Sequence, residues 1–342
     1  MAALNEHDVI TTTPNAWRFC VAPMMDWTTP ACRYFHRQAS RHARLYTEMI
    51  NAGAIVHGDA ERHLRFDVAE HPVALQLGGA EPQLLAQAAR TGAEFGYDEI
   101  NLNCGCPSDR VQEGRFGACL MLEPQRVADC VRAMRETCSV PVTVKCRIGV
   151  DDSEDYAFLQ RFVDVVAAAG AETFIVHARK AWLSGLSPKQ NREVPPLSYP
   201  TVHRLKRDFP HLTVVLNGGL STLDQCAAEL QTLDGVMLGR AAYDDPYLLT
   251  AVDSQLFGDD SGPRIGRAEL LRRMQAYVER ELGDGVPLAR ITRHVLGLYR
   301  GEAGGRAFRR VLSEQAPRKG AGWSVVEAAI AATLPIAQQA AA

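Results

Sequence analysis

Residues 99–107 read Glu99-Ile-Asn-Leu-Asn-Cys-Gly-Cys-Pro107, an apolar run that turns polar at its end and passes into a Gly-Cys-Pro turn. A strand end satisfied by packing alone would carry Val, Ile or Leu, and a turn needs Gly or Asn once. Asn101 and Asn103 alternate with Leu102, so both carboxamides face one side of a strand, and Cys106 follows where the backbone leaves it. The same pattern, a short run rich in Val, Ile and Leu that closes on a polar residue, recurs along the chain. The runs are 19–24, 45–49, 73–77, 99–103, 142–147, 173–177, 213–217 and 235–240, with longer helical patterns between them. Glu48, Gln76, Asn101 and Asn103, Lys145, His177, Asn217 and Arg240 stand at or near their ends.

Buried parallel strands read as continuous apolar runs, and alternation with helices implies a parallel sheet built by crossovers. Eight such units predict a closed β/α barrel, whose usual length is about 250 residues. A doubly wound open sheet would carry a Gly-rich phosphate turn after its first strand; here that run leads into Ala22-Pro23-Met24-Met25. In a barrel the polar strand ends converge on one mouth, where active sites are built. The expectation is an α/β protein, a TIM (β/α)8 barrel over residues 1–255 and a small C-terminal helical domain over residues 256–342. A linker at 257–266, with Gly258, Asp259, Asp260, Ser261, Gly262 and Pro263, joins them. Beyond it, apolar residues keep helical spacing over 269–282 and 288–299, and the Ala-rich end after Trp323 reads as a last helix with a frayed tail.

The chain has 342 residues and nine cysteines, an odd number without the spaced framework of a secreted scaffold, so a reducing cytoplasm is expected. The first fifteen residues hold Glu6 and Asp8 and no apolar run, which argues against a secretory signal. No stretch approaches the ~18 uncharged apolar residues of a membrane span. The net charge of −3 hides an asymmetry: from Arg264 to Lys319, 13 Lys and Arg stand against six acids, a balance of +7 that leaves −10 elsewhere. From charge alone, that segment is either a solvated helical surface or the footprint of a polyanion.

Asn217-Gly218-Gly219 after the seventh run and Gly239-Arg240 after the eighth lie where barrels hold phosphate. Bare glycine backbone lets N–H groups approach an anion, and Arg240 can add a charge-assisted bond. Lys145 and His177 end the fifth and sixth runs and Gln76 the third. A lysine inside a barrel mouth is costly unless it meets an anion or a carbonyl. A redox cofactor with a phosphate tail and a ring of carbonyl and nitrogen acceptors would satisfy all of these, and flavin mononucleotide (FMN) fits that description. Cys104 points away from Asn103 on strand alternation and reads as a small buried hydrophobe. Cys106, past the strand, reads as chemistry. A metal is not expected, because Cys119, Cys130, Cys138 and Cys146 supply no second short-spaced ligand pair.

Longer motifs surround these positions: Ala22-Pro-Met-Met-Asp-Trp-Thr28, residues 101–107 continuing through Ser108-Asp-Arg-Val111 to Gly114-Arg-Phe-Gly-Ala118, His177-Ala-Arg-Lys-Ala-Trp182, Leu186-Ser-Pro-Lys-Gln-Asn-Arg192, and residues 301–312. Together they resemble the tRNA-dihydrouridine synthases, and specifically their A-type bacterial subgroup, over roughly residues 17–317 of the chain. The resemblance implies an oxidoreductase acting on a CH–CH bond, with FMN in the barrel mouth, reduced by NADPH, passing hydride to C6 of a tRNA uridine. Cys106 then protonates C5, at D-loop uridines 20 and 20a. A free thiol, with a pKa of about 8.5, is mostly protonated near neutrality and can donate.

By the same resemblance Pro23, Met24, Met25, Gln76, Lys145, His177, Asn217, Gly218, Gly219, Gly239 and Arg240 contact the flavin. Asn103 holds the uracil, and Lys189, Arg192, Arg306 and Arg309 meet tRNA, with side chains suited to phosphate positioning rather than base readout. The target base must leave its stack to reach the flavin. The chain departs from the subgroup at Cys104, usually aliphatic, and at Thr29-Pro30-Ala31, usually charged or polar. The rival reading is a barrel flavoenzyme reducing a free pyrimidine, in the manner of dihydroorotate dehydrogenases, which would have no use for the +7 segment. A third, an RNA-binding module without catalysis, leaves Cys106 and Lys145 unexplained. No obligate protein partner is expected.

Overall fold

The computed structural model describes residues 15–108, 114–262 and 265–334. The eight runs form one closed barrel in sequence order: β1 Phe19–Val21, β2 Arg44–Asn51, β3 Val73–Gly78, β4 Glu99–Cys104, β5 Val142–Arg147, β6 Thr173–His177, β7 Thr213–Asn217 and β8 Gly235–Leu238. All neighbours run parallel, and the ring closes where Phe19 and Val21 of β1 lie opposite Val236 and Leu238 of β8. Two runs end earlier than the sequence suggests. Pro23 has no N–H to offer a ladder, and the Met24 carbonyl instead accepts from Trp27 and Thr28 N–H at 3.1 and 2.9 Å, closing a turn. At the other end Gly239 (φ −106°, ψ −104°) bends the chain, so Arg240 opens the helix Arg240–Asp244 instead of ending a strand.

Period-two alternation divides every strand between two environments. Outward residues such as Leu75, Leu102, Cys104, Val144, Val176 and Leu216 are buried under the surrounding helices, each full burial worth roughly 1.5–3 kcal/mol. Cys104 thus sits where alternation places it, among apolar side chains. Inward, Cys20, Tyr46, Ala74, Ile175, Val215 and Met237 plug the barrel, while β4 and β5 bring polar residues inside: Glu99, Asn101, Asn103 and Thr143 are all buried. Helices Pro30–Ala39, Pro82–Glu94 and Pro124–Arg135 each begin with proline, whose missing N–H is one a first turn leaves unused. No helix among the described residues is long and apolar enough to cross a membrane.

A second core lies beyond the barrel, built from residues such as Leu270, Met274, Tyr277, Ile291, Phe308 and Leu312. Phe35, from the crossover helix Pro30–Ala39, belongs to it, so that helix joins the two bodies. Ion pairs Arg65–Glu281 (2.8 Å) and Arg280–Asp67 (2.6 Å) add to the joint, and Asp259 of the linker accepts from Arg41 (2.7 Å) and His42 (2.6 Å). Val252 and Leu256 still belong to the barrel core, and on that ground we propose that the helical unit begins just after them.

The helices there are shorter than their apolar spacing suggests. The 269–282 pattern is split into Arg267–Arg272 and Gln275–Gly283 because Met274 N–H tightens onto Leu271 O at 3.0 Å. The 288–299 pattern is α-helical only over Leu288–Thr292, then continues as three-residue turns (Val295 N–H to Thr292 O, 3.1 Å; Leu298 N–H to Val295 O, 3.0 Å). In that stretch Gly297 lies against the end of the barrel, where a Cβ would stand 2.5 Å from the Asp244 carbonyl oxygen. Helices Gly305–Gln315 and Trp323–Ala331 complete the unit; the tail at 335–342 lies outside the described residues.

Candidate active site at the barrel mouth

At the open end of β4 the Asn103 carboxamide organises the loop that carries Cys106. Its Oδ1 accepts from the N–H groups of Gly105 (3.1 Å) and Cys106 (3.0 Å), and its Nδ2 donates to Gln76 Oε1 at 2.8 Å. An amide oxygen has two lone pairs and both are taken, so all that Asn103 can still offer a ligand is its second Nδ2 hydrogen. Cys106 is half-buried. Its carbonyl accepts from Ala118 N–H at 2.9 Å, and its thiol reaches Ser108 Oγ at 3.4 Å. The motif residues 109–113 lie outside the described residues.

Arg147 holds the Cys106 loop to the loop after β6. Its Nε donates to Gly105 O (2.8 Å), and its Nη1 donates to Lys180 O and Asn191 O (2.9 Å each). Its exposure is 3%. Among the described residues no carboxylate pairs with it, and burial pushes its pKa down to about 10, which leaves it charged at neutrality. Asn191 is fully buried, giving Nδ2 to Trp182 O and Leu186 O and taking Trp182 N–H. That pin turns its neighbours Lys189 and Arg192 outward, where both are exposed.

Lys145, beside Asn103 on the neighbouring strand, reaches across the mouth: its Nζ donates to Asn217 Oδ1 at 3.0 Å, and Asn217 Nδ2 donates to Met237 O at 2.8 Å. The lysine meets the carbonyl that a buried ammonium requires, but no carboxylate among the described residues. Burial, then Arg147, pushes its pKa down to about 8. Burial and the cations Arg147, Lys145, Arg179 and Arg192 hold His177 well below the usual imidazole range, so its ring is neutral. Gly218 has φ +106°, and a Cβ there would stand 2.5 Å from the His177 ring; only glycine lets this backbone pass beneath the imidazole.

Met24 lies beside Gly239, whose added Cβ would be 3.7 Å from the Met24 sulfur. Pro23 is partly buried, Met25 is 57% exposed, and Asp26 N–H donates to Glu48 Oε1 at 2.6 Å, fixing the first loop. Arg240 is paired with Glu193 at 2.6 Å. Near it Arg179 Nε is buried without an acceptor among the described residues, although Nη1 of the same guanidinium donates to Pro195 O. Thr29 hydrogen-bonds His294 at 2.9 Å, which ties the first loop to the helical unit, and Trp27 stacks on Tyr243 of the helix after β8 with centroids 4.3 Å apart.

The mouth therefore brings together Gln76, Asn103 and Cys106 with Lys145, which lies beside Asn103 on the neighbouring strand, and with His177, Asn217 and Gly218 farther round the ring. Arg306 and Arg309 stand apart, exposed on the helix Gly305–Gln315 opposite its buried Phe308 and Leu312. Neither has a carboxylate partner among the described residues. The sequence reading missed Arg147, Glu99 and Thr143, although each stands two residues from an assigned inward position, Lys145 or Asn101. It also missed Arg179 and Asn191, whose contacts cross a long loop and leave no local periodic signal.

A family model described as Dihydrouridine synthase matches residues 20–334. Over 316 residues the chain is 60% identical to the tRNA-dihydrouridine(20/20a) synthase of Xanthomonas axonopodis pv. citri (strain 306), covering 92% of this chain and 94% of that one. It is 57% identical to the protein of the same name from Escherichia coli (strain K12), covering 92% and 90%. With that of Vibrio vulnificus (strain CMCP6) it shares 56% identity, covering 92% and 96%. The organised thiol loop and the cations beside it thus stand in a chain that belongs to the dihydrouridine synthase family.

Proposed function

We propose that this chain is an FMN-dependent, NADPH-driven tRNA-dihydrouridine synthase that reduces D-loop uridines 20 and 20a. The carrying observation is the half-buried Cys106, its loop held by Asn103 and Arg147, at a mouth where Lys145 and Arg147 have no carboxylate partner among the described residues. The residues fit an anionic flavin. Among the described residues Arg179 Nε is a buried donor with no acceptor and Lys145 is paired only with an amide oxygen, and Gly218 and Gly239 keep the backbone bare. Pro23, Met24, Met25, Gln76, Lys145, His177, Asn217, Gly218, Gly219, Gly239 and Arg240 would hold it, with Arg179 on the phosphate side.

Bound there, FMN supplies the hydride that reaches C6 of the uracil. The protein does the rest. Asn103 donates its remaining N–H to a uracil carbonyl, and Cys106 gives its thiol proton to C5. The thiolate left behind lies within electrostatic reach of Lys145, Arg147 and Arg192, which stabilise it. Lys189 and Arg192 beside the mouth, with Arg306 and Arg309 on the helical unit, position tRNA phosphates while the target base leaves its stack.

Lys145 gives this reading a pH signature. It carries its charge below about pH 8 and loses it as the pH rises through that value, whereas His177 stays neutral. The affinity of the apoprotein for FMN should therefore weaken above about pH 8, and Lys145→Gln should flatten that limb in a fluorescence titration. A limb that survives the substitution belongs to another group.

The tRNA assignment is tested at the helical unit. Arg306→Ala with Arg309→Ala should weaken tRNA binding and flatten the dependence of log affinity on log salt by roughly 0.7 to 0.9 per lost phosphate contact. Reduction of bound flavin by NADPH should be unchanged. An unaltered salt slope removes both arginines from the interface.

A further inference from the structure

The barrel interior holds one continuous line of hydrogen bonds running from the Cys106 loop to the buried base of β4, and the proposed chemistry does not use its deeper members Asn101, Thr143 and Glu99. Cys106 N–H donates to Asn103 Oδ1 (3.0 Å), Asn103 Nδ2 to Gln76 Oε1 (2.8 Å), and Gln76 Nε2 to Asn101 Oδ1 (2.7 Å). Asn101 Nδ2 donates to Thr143 Oγ1 (2.8 Å), and the Thr143 hydroxyl donates to Glu99 Oε1 (2.5 Å). Every link points the same way. Gln76, Asn101, Thr143 and Glu99 are at most 1% exposed.

The direction is imposed from the Glu99 end. Glu99 Oε2 takes the Trp17 indole N–H (2.7 Å) and the Arg44 guanidinium (3.1 Å), groups that only donate, and Oε1 takes Tyr46 OH (2.8 Å) beside Thr143. With Arg44 as its counter-ion the group acts as a carboxylate, which only accepts. Thr143 must then spend its single proton on Glu99 and can only accept from Asn101. That turns the Asn101 oxygen toward Gln76, which turns the Gln76 oxygen toward Asn103, which turns the Asn103 oxygen toward the loop. Reversing any amide would set N–H against N–H at its neighbour. Hydrogen bonds aligned head to tail also polarise and strengthen one another.

We propose that Glu99, acting through Thr143, Asn101 and Gln76, is the positioning residue that sets the orientation of the Asn103 carboxamide and thereby places the Cys106 loop. It touches neither substrate nor cofactor. The carboxylate selects one of two orientations for three amides, and the selected one is the only one that presents an acceptor to Gly105 and Cys106. This rests on Cys106 as the acid only for its effect on rate; the placement of the loop stands independently of it.

Thr143→Val removes one link with little change of shape, and Thr143→Ser keeps it. In Thr143→Val, amide hydrogen exchange in a peptide covering Gly105 and Cys106 should speed up, and single-turnover dihydrouridine formation by the pre-reduced enzyme should slow by roughly 10- to 100-fold. NADPH should still reduce the flavin at the parent rate. Thr143→Ser should restore both exchange protection and turnover. Glu99→Gln, whose amide can present a donor to Thr143, should reproduce the Thr143→Val pattern and serves as a second break should valine misfold. Parental exchange and turnover in both breaks, or a serine variant as impaired as valine, would overturn the proposal. If the parent makes no dihydrouridine, the proposed function fails, while the exchange measurements still decide whether the line places the loop.

Discussion

Cys106→Ala should leave the flavin reducible by NADPH and slow dihydrouridine formation by roughly 10²- to 10⁴-fold, the span that a positioned general acid contributes. The fold has little to lose. Cys106 is only half-buried and, among the described residues, its thiol's one hydrogen bond is the 3.4 Å contact with Ser108; the loop is held by its backbone, through Asn103, Ala118 and Arg147. Hydride arriving at C6 places negative charge on the uracil at C5 and its neighbouring carbonyl, and without an acid that charge must wait for water. The half-reactions separate the roles, because nothing in NADPH oxidation requires a proton from Cys106. Rapid mixing with NADPH, followed by product analysis on unmodified tRNA, checks both halves, and parental product formation would remove Cys106 as the acid.

Arg147→Met should cost about 10² in the rate of uridine reduction while moving the melting temperature little, since two large terms oppose each other. Its three charge-assisted hydrogen bonds to Gly105, Lys180 and Asn191 are worth about 1.5–3 kcal/mol each. Burying a cation without a counter-ion costs several kcal/mol, and methionine relieves that cost. Stability is therefore nearly conserved, but the Cys106 loop is no longer fixed to the loop that presents Lys189 and Arg192. A displacement of about 1 Å at a reacting group is enough for a 10²-fold loss. Calorimetry beside single-turnover kinetics measures the two effects; a large loss of stability with parental turnover would mean that Arg147 supports the fold and not the site.

Much of this architecture was legible in the residues. Strand runs ending in polar side chains announced both the barrel and its mouth, because a parallel strand buried on two faces tolerates a polar residue only where the strand opens onto a cavity or meets a partner inside. Cys104 and Cys106 could be told apart by alternation alone. The helical unit was less legible, since Leu288 to Tyr299 keeps helical apolar spacing while its backbone, flattened at Gly297 against Asp244, does not stay α-helical. Arg147 and Glu99 were hidden differently. Each lies on the expected inward face, but a charged residue at that face looks like a ligand contact or a strand boundary until its partners are seen, and theirs come from other strands and from a loop more than 30 residues away. Arg240 shows the converse: its type suggested a free phosphate donor, and the fold gives it Glu193 as a partner.

The most direct test is mass spectrometry of D-loop fragments from an unmodified tRNA transcript after incubation with the enzyme, FMN and NADPH. Fragments containing uridines 20 and 20a should gain the mass of two hydrogens, the gain should be lost with Cys106→Ala, and free uridine should remain unreduced. Reduction of free uridine with the tRNA left unchanged, or modification confined to other positions of the transcript, would contradict the assignment.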